Sequence, residues 1–315
     1  MRVLVTGASG FVGYPLCNRL VAEGIEVLAF SRRECVWSPT ITSLQSDSLS
    51  SFLKSTNSLS NVDCILHLAG RAHVMSEFKA NSLAEFRLVN VDETIQLARF
   101  AALSGVRRFV FISSIKVNGE YSTIDFPFTA IDKPQPSDAY GISKYEAELA
   151  LRQIEVETGM EVLIVRPPLI YGKNVKGNFR FLINAISRGI PLPLGSIQQN
   201  RRSLISLENL IDFLITLIYS PTGSYRTFLV SDQEDVSTTD LLRRLYNAMG
   251  KQSRLISVSQ KLLFLASKAT GRQSIYQRLC GSLVVDSFAT TELIGWKPAL
   301  SLNDGLCLAV DGYNP

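Results

Sequence analysis

Short apolar runs alternate with amphipathic stretches through the first half of the chain. Arg2 to Thr6 (RVLVT), Glu26 to Phe30 (EVLAF), Thr40 to Gln45, Val62 to Leu68 (VDCILHL) and Arg108 to Ile112 (RFVFI) read as five strands. The runs are mostly continuous in apolar residues, as in strands buried on both faces of a sheet. Helical spacing follows Gly13 to about Glu23, recurs from Phe86 to Ser104 with Gly105 closing it, and recurs again from Asp138 until Gly159. Pro134 and Pro136 separate this last helix from what precedes it, since proline interrupts regular structure. Strands alternating with helices predict an α/β fold with a doubly wound parallel sheet over residues 1–166. After Pro167 the character changes, predicting a smaller, mixed α/β lobe over 167–315. Within it, 203–232 (a helix from Ser206 to Tyr219, then Thr227 to Val230) is expected to cross back to the first unit.

Composition narrows the function classes. The 315 residues are 46% hydrophobic and 19% charged, the balance of a globular protein with a sizeable core. A net charge of +4 is too small to indicate nucleic acid without a concentrated patch, though it suits an anionic small molecule. Five scattered cysteines with no CxxC pair point to reduced thiols, no metal site and a cytoplasmic setting. Met1 leads straight into a strand, so no signal peptide is expected. No apolar run reaches the roughly 18 residues of an integral membrane segment. Leu262 to Ala269 is apolar enough to touch a membrane or a partner, but is expected to pack on the domain.

Gly7-Ala8-Ser9-Gly10-Phe11-Val12-Gly13 joins the first strand to the first helix. Small residues there let backbone amides and the positive helix end approach a pyrophosphate, so this is a dinucleotide loop. At the end of the second strand, where an NAD domain carries Asp or Glu, stand Ser31, Arg32 and Arg33. A carboxylate repels a 2′-phosphate, whereas a serine and a guanidinium fork bind it, so NADP(H) is preferred with NAD(H) possible. Asp47, at the end of the third strand, is expected to accept from the adenine amino group. Leu68, Ala69 and Gly70 end the fourth strand beside the cofactor. His67 is expected to pack at that strand end, and His73 in the following loop to touch substrate.

Tyr140 and Lys144 stand four residues apart at the start of a helix, on one face. A tyrosine titrates near pH ~10, and lowering this by ~3 units takes ~4 kcal/mol. A lysine cation, aided by a pyridinium ring, favours the phenolate. Tyr140 is therefore a candidate proton shuttle, with Ser114 at the carboxyl end of the fifth strand, where active sites of open parallel sheets lie.

Taken together, TGxxGxxG at Thr6 to Gly13, HLAG at 67–70, Ser114, Tyr140-x-x-x-Lys144 and RPPLIYG at 166–172 resemble the extended short-chain dehydrogenase/reductase family, over nearly the whole chain. The resemblance implies a Rossmann cofactor domain and a nucleotide-sugar-binding lobe. It implies that Tyr140 exchanges a proton with a sugar hydroxyl, Ser114 hydrogen-bonds the same oxygen and Lys144 holds the nicotinamide ribose. Asn90 would support the site and Pro167 would lie against the cofactor. Lys116, Asn178, Arg202 and, more distantly, Arg278 would meet the substrate, the last three at its diphosphate. Dehydratases of the family carry Asp-Glu just after the hydroxyl residue; Ile115 and Lys116 stand there, which speaks against loss of water. Asn118 replaces a more usual tyrosine and marks a subfamily. Gly295-Trp296-Lys297-Pro298 resembles a closing structural element of the family.

SSIKVNGE, KGNF, RRSL and VSDQEDVST are most similar to the branch of 4-keto reductases of bacterial surface-polysaccharide synthesis, such as those forming UDP-N-acetylquinovosamine. The leading expectation is thus an NADP(H)-dependent oxidoreductase at carbon 4 of a UDP-hexose or UDP-N-acetylhexosamine. A second reading is a UDP-sugar 4-epimerase with tightly held NAD, and a third a regulator that binds cofactor without turnover. Relatives pair through two long helices, here about Phe86 to Ser104 and Asp138 to Glu157, so a homodimer is expected.

Overall fold

β1 (Arg2–Thr6) sits third in a seven-stranded sheet of order β3-β2-β1-β4-β5-β6-β9, in which every pairing is parallel. The computed structural model describes residues 1–56, 59–72, 82–223, 226–311 and 313. Along the chain follow α1 (Gly13–Ala22), β2 (Glu26–Ser31), β3 (Ile41–Gln45), α2 (Leu49–Ser55), β4 (Cys64–His67), α3 (Ser82–Arg87), a π-helical turn (Leu88–Asp92), α4 (Glu93–Leu103) and β5 (Arg108–Ile112). A short 3-10 turn (Ile115–Val117) then precedes α5 (Ala139–Thr158) and β6 (Glu161–Arg166). The second half adds β7 (Leu169–Tyr171), α6 (Gly177–Ser187), β8 (Leu204–Ser206), α7 (Leu207–Tyr219), β9 (Thr227–Leu229), α8 (Thr238–Ala248), α9 (Gln260–Ala269), α10 (Gln273–Cys280), α11 (Phe288–Ile294) and α12 (Leu302–Val310).

The continuous apolar strands are buried on both faces, as their sequences require. Val3, Val5, Val27 and Ala29 face one core with α1 and α7. Leu4, Leu28 and Phe30 face the other, with Leu97, Ala98 and Ala101 of α4 and Ala147, Leu151 and Ile154 of α5. Strand order reverses between β1 and β4, and their carboxyl ends form the crevice where ligands of such sheets bind. The long helix α5 has clear stops: the Asp138 carboxylate accepts from the Gly141 amide at 2.7 Å, and Gly159 takes the left-handed φ of 75° that ends it.

The crossing-back segment divides its strands. β9 pairs with β6 in the main sheet, whereas β8 pairs with β7 in a separate two-stranded sheet. A third core, built on Tyr171, Phe179, Leu242 and Leu306, fills the second lobe. The closing element is structural: Trp296 is buried, its indole N–H donates to Asp212 Oδ2 at 2.8 Å, and its ring meets Phe213 edge-on.

One expected helix is two. Rather than running evenly from Phe86 to Ser104, it starts at Ser82 and bulges at Leu88–Asp92. The extra residue per turn swings Asn90 fully inside, and such bulges concentrate at functional sites.

Candidate active site

The glycine loop leaves no room for side chains. Gly7 has φ +69°, and a Cβ there would lie 2.7 Å from the Ala69 amide nitrogen. A Cβ on Gly13 would lie 2.2 Å from the Gly7 carbonyl oxygen, so α1 reaches the strand end only because that residue is glycine. No acidic residue or side-chain cap occupies the first turn of α1. Its amide groups and positive end therefore remain available to a pyrophosphate. A cradle this tight, walled by Leu68 to Gly70, fits a dinucleotide.

The loop's other members divide. Ser9 is exposed, whereas the Phe11 ring packs into the cores and Val12 joins it. Ser31 is buried and its hydroxyl donates to the Arg33 carbonyl at 2.8 Å. Arg32, Arg33 and Asp47 stand exposed just beyond the ends of β2 and β3. His67 is inside the protein: its Nδ1 meets Thr6 Oγ1 at 2.6 Å and its Nε2 meets Thr94 Oγ1 at 2.9 Å. Burial, with the Lys144 charge, pushes its pKa down to about 3, so it is a neutral packing residue.

Ser114 follows β5 by two residues in extended conformation, and Ser113 and Ile115 on either side donate backbone N–H groups to Val165 and Pro167 carbonyls. This fixes the strand end against Pro167. The Ser114 hydroxyl lies near enough to the phenol of Tyr140, at the start of α5, to favour its ionised form. One turn on, Lys144 is buried; its Nζ donates to the Ile112 carbonyl at 2.7 Å and lies 4.4 Å from the centre of the Phe111 ring. A Cβ on Gly70 would fall 3.3 Å from that Nζ and 3.2 Å from Asn90 Oδ1. Ser114, Tyr140, Lys144, Asn90 and Gly70 thus meet at the carboxyl edge of the sheet.

The electrostatics differ from expectation in one respect. Burial pushes the Tyr140 phenol up to about 12, against the nearby Ser114 hydroxyl that lowers it. Burial also pushes Lys144 down to about 7, against the Glu148 carboxylate that raises it. The lysine cation does not by itself make the tyrosine acidic, because desolvation penalises both charged forms. A further positive charge in the crevice is needed to stabilise the phenolate.

Beneath lies a supporting layer in which Asn90 was expected and Glu148 and Arg166 were missed. Asn90 Nδ2 donates to Ser143 Oγ at 3.0 Å, and its Oδ1 accepts from the Arg71 amide at 2.8 Å, tying the bulge to the residue before Lys144. Glu148 bridges Arg166 and Ser113, and Arg166 donates on to Asn118 Oδ1 at 2.9 Å. Asn118 is therefore turned into the protein. The signal was legible: Tyr140, Lys144 and Glu148 are spaced i, i+4, i+8 on one helix face.

An open cleft of about 680 Å³ adjoins the site through Lys116 and Asp138 and is closed on the far side by Ser274, Gln277 and Arg278 of α10. Lys116 is held by Asp138 and by Glu120, the latter at 3.0 Å. Arg202 is half-buried, donates to the Gly281 carbonyl at 3.1 Å and feels the charge of Glu120. Its neighbour Arg201 folds onto its own loop, donating to the Gln198 and Asn200 carbonyls. Asn178 is exposed in the first turn of α6. His73 lies outside the described residues.

Comparisons with known proteins agree with this geometry. The chain is 41% identical over 303 residues to a UDP-glucose 4-epimerase of Vibrio cholerae, covering 96% of this chain and 92% of that one. It is 25% identical over 295 residues to a UDP-2-acetamido-2,6-beta-L-arabino-hexul-4-ose reductase of Pseudomonas aeruginosa, covering 92% of this chain and 67% of the relative. The structure of UDP-glucose 4-epimerase from Thermotoga maritima with UDP-glucose superimposes with a TM-score of 0.79 at 20% identity, covering 99% of this chain and 98% of that one. The NAD dependent epimerase/dehydratase family model matches residues 3–230. A crevice built from the Gly7 loop, Ser114, Tyr140 and Lys144, in a chain so matched, belongs to a member of the NAD dependent epimerase/dehydratase family.

Proposed function

We propose that the protein is a 4-epimerase of a UDP-hexose or UDP-N-acetylhexosamine that works with a retained NAD. The observation that carries this reading is the gathering of Ser114 at the end of the fifth strand with Tyr140 and Lys144 on the first turns of α5, at the mouth of the glycine cradle. The 41% likeness to an epimerase over nearly the full chain supports epimerisation above net reduction.

When bound, the dinucleotide supplies a hydride acceptor that becomes a donor, together with a positive ring. Tyr140 takes the proton of the sugar's 4-hydroxyl as hydride leaves, and returns it when the opposite face is presented. Ser114 donates to the same oxygen and holds it in line. Lys144, steered by the Ile112 carbonyl, fixes the ribose. Arg202 and Arg278 on the cleft side, with Asn178, are proposed to hold the diphosphate. Ile115 is buried and Lys116 is engaged by carboxylates, so neither offers the acid and base for loss of water.

Residues 1–166 with 203–232 are proposed to hold the cofactor, and the rest of 167–315 the nucleotide sugar. A cytoplasmic homodimer fits the exposed Leu149 and Val156, seven residues apart on α5. The decisive test is conversion of UDP-glucose or UDP-N-acetylglucosamine to its carbon-4 epimer without added cofactor, with NAD released on denaturation. Failure of both sinks the reading.

NADPH-dependent 4-keto reduction in surface-polysaccharide synthesis is the second reading, favoured by buried Ser31 and exposed Arg32 and Arg33 where a ribose-binding carboxylate is absent. It requires stoichiometric NADPH oxidation by a UDP-4-keto-6-deoxy-N-acetylhexosamine. In that case Arg32→Ala weakens NADPH much more than NADH.

A further inference from the structure

Between Asp240 and Asp286 the chain has no acidic residue. Of its 32 Lys and Arg and 28 Asp and Glu, eight basic and none of the acidic residues fall there, so the remainder of the chain is net negative. This segment contains α9 and α10, which pack on each other through Phe264 and Tyr276, 5.4 Å apart and edge-on.

α9 does not bury its apolar residues as its sequence suggests. Leu263 and Ser267 face the protein, while Leu262 and Leu265 are 60% and 59% exposed. Leu262, Leu265 and Ala269 recur at i, i+3 and i+7, one outward stripe. Lys261 and Lys268 flank the stripe, and Arg272 follows it; all three are exposed, and among the described residues no carboxylate pairs with any of them. An apolar stripe rimmed by unpaired cations is the pattern of a helix that lies in a bilayer interface. Lysines beside such a stripe extend their stems along it and place their ammonium groups among headgroups. A second copy of the chain would set the same positive rim against itself, which opposes self-association.

We propose that α9 docks the protein peripherally on an anionic lipid surface. Among the described residues no helix is long and apolar enough to cross a membrane, so the attachment is reversible and rests on the stripe and its rim together. Because α10 supplies Ser274, Gln277 and Arg278 to the cleft, docking holds one wall of the substrate cleft at the membrane. The proposal is independent of whether the reaction is epimerisation or reduction.

The test is sedimentation of the full chain with vesicles rich in phosphatidylglycerol and with vesicles of phosphatidylcholine alone. Binding to the first, loss in high salt and little binding to the second are expected. Lys261→Glu with Lys268→Glu should lower the affinity about 30-fold or more, as two headgroup-facing charges contribute. Leu262→Ser with Leu265→Ser should lower it at least about tenfold, with turnover of a soluble substrate unchanged in both variants. No binding to the anionic vesicles overturns the proposal. So does a fall in molecular mass by light scattering in the leucine variant, which identifies the stripe as a contact between copies.

Discussion

The Arg166 guanidinium closes on the Glu148 carboxylate from two sides, Nε to Oε1 at 3.0 Å and Nη2 to Oε2 at 2.5 Å, with both residues buried. The pair joins α5 to the end of β6, and Ser113 binds the same carboxylate at 2.5 Å. Removing one partner leaves the other charge stranded without water. Glu148→Ala is therefore expected to cost about 3–5 kcal/mol of folding stability, read from urea unfolding. A loss below about 1 kcal/mol would mean that water reaches Arg166 and that the pair does not fix the strand end.

Tyr140→Phe keeps the ring against Phe86, 6.0 Å away, and removes only the oxygen. Turnover should fall at least about 100-fold, the low end for a lost general acid–base. Dinucleotide affinity, measured by fluorescence quenching, should stay within a few-fold. Retained turnover would remove Tyr140 from the proton path.

Lys144 titrates near 7 in the folded chain, below its ordinary 10.5. Between these values the unfolded chain holds the proton more often than the folded one, so stability rises with pH over that window. The wild type should gain stability relative to Lys144→Met as pH climbs from about 7 to 10. Parallel curves would contradict the burial of the ammonium. For Tyr140, raised to about 12, the phenolate absorbance difference against Tyr140→Phe should be absent at pH 10 in the protein alone. It should appear at lower pH once the oxidised dinucleotide is added.

Gly13→Ala puts a carbon where the Gly7 carbonyl already stands. The helix must retreat from the strand end, at a cost of about 1–3 kcal/mol. NAD affinity, followed by calorimetry, should drop at least tenfold, whereas Gly24→Ala, with open space around it, should leave that affinity unchanged. Equal affinity in both variants would show that the loop is not the cradle.

Elements with a local signature were readable in the sequence. Apolar runs set the strands, the glycine triplet set the crevice, and four-residue spacing put Tyr140 and Lys144 on one face. What escaped depends on contacts between distant segments. The bulge at Leu88–Asp92 is fixed by Asn90 reaching Arg71 and Ser143, which no window around residue 90 contains. How strongly burial opposes the charged forms of Tyr140 and Lys144 escaped for the same reason. Spacing shows a neighbouring charge, but only packing shows how much water both have lost. The outward stripe of α9 was likewise invisible, since periodicity reveals that a helix has an apolar face and not which way it turns.

The return of β9 to β6 bears on how this chain can be recombined. A single cut after Arg166 would separate the two halves as genes but not as objects, because the first half would end on β6 with its outer edge bare and prone to pair with other chains. A chimera that takes its sugar specificity from a relative must therefore be cut at least twice, keeping α7 and β9 with the amino-terminal half. Specificity in this architecture is exchanged by patching loops, not by trading cassettes.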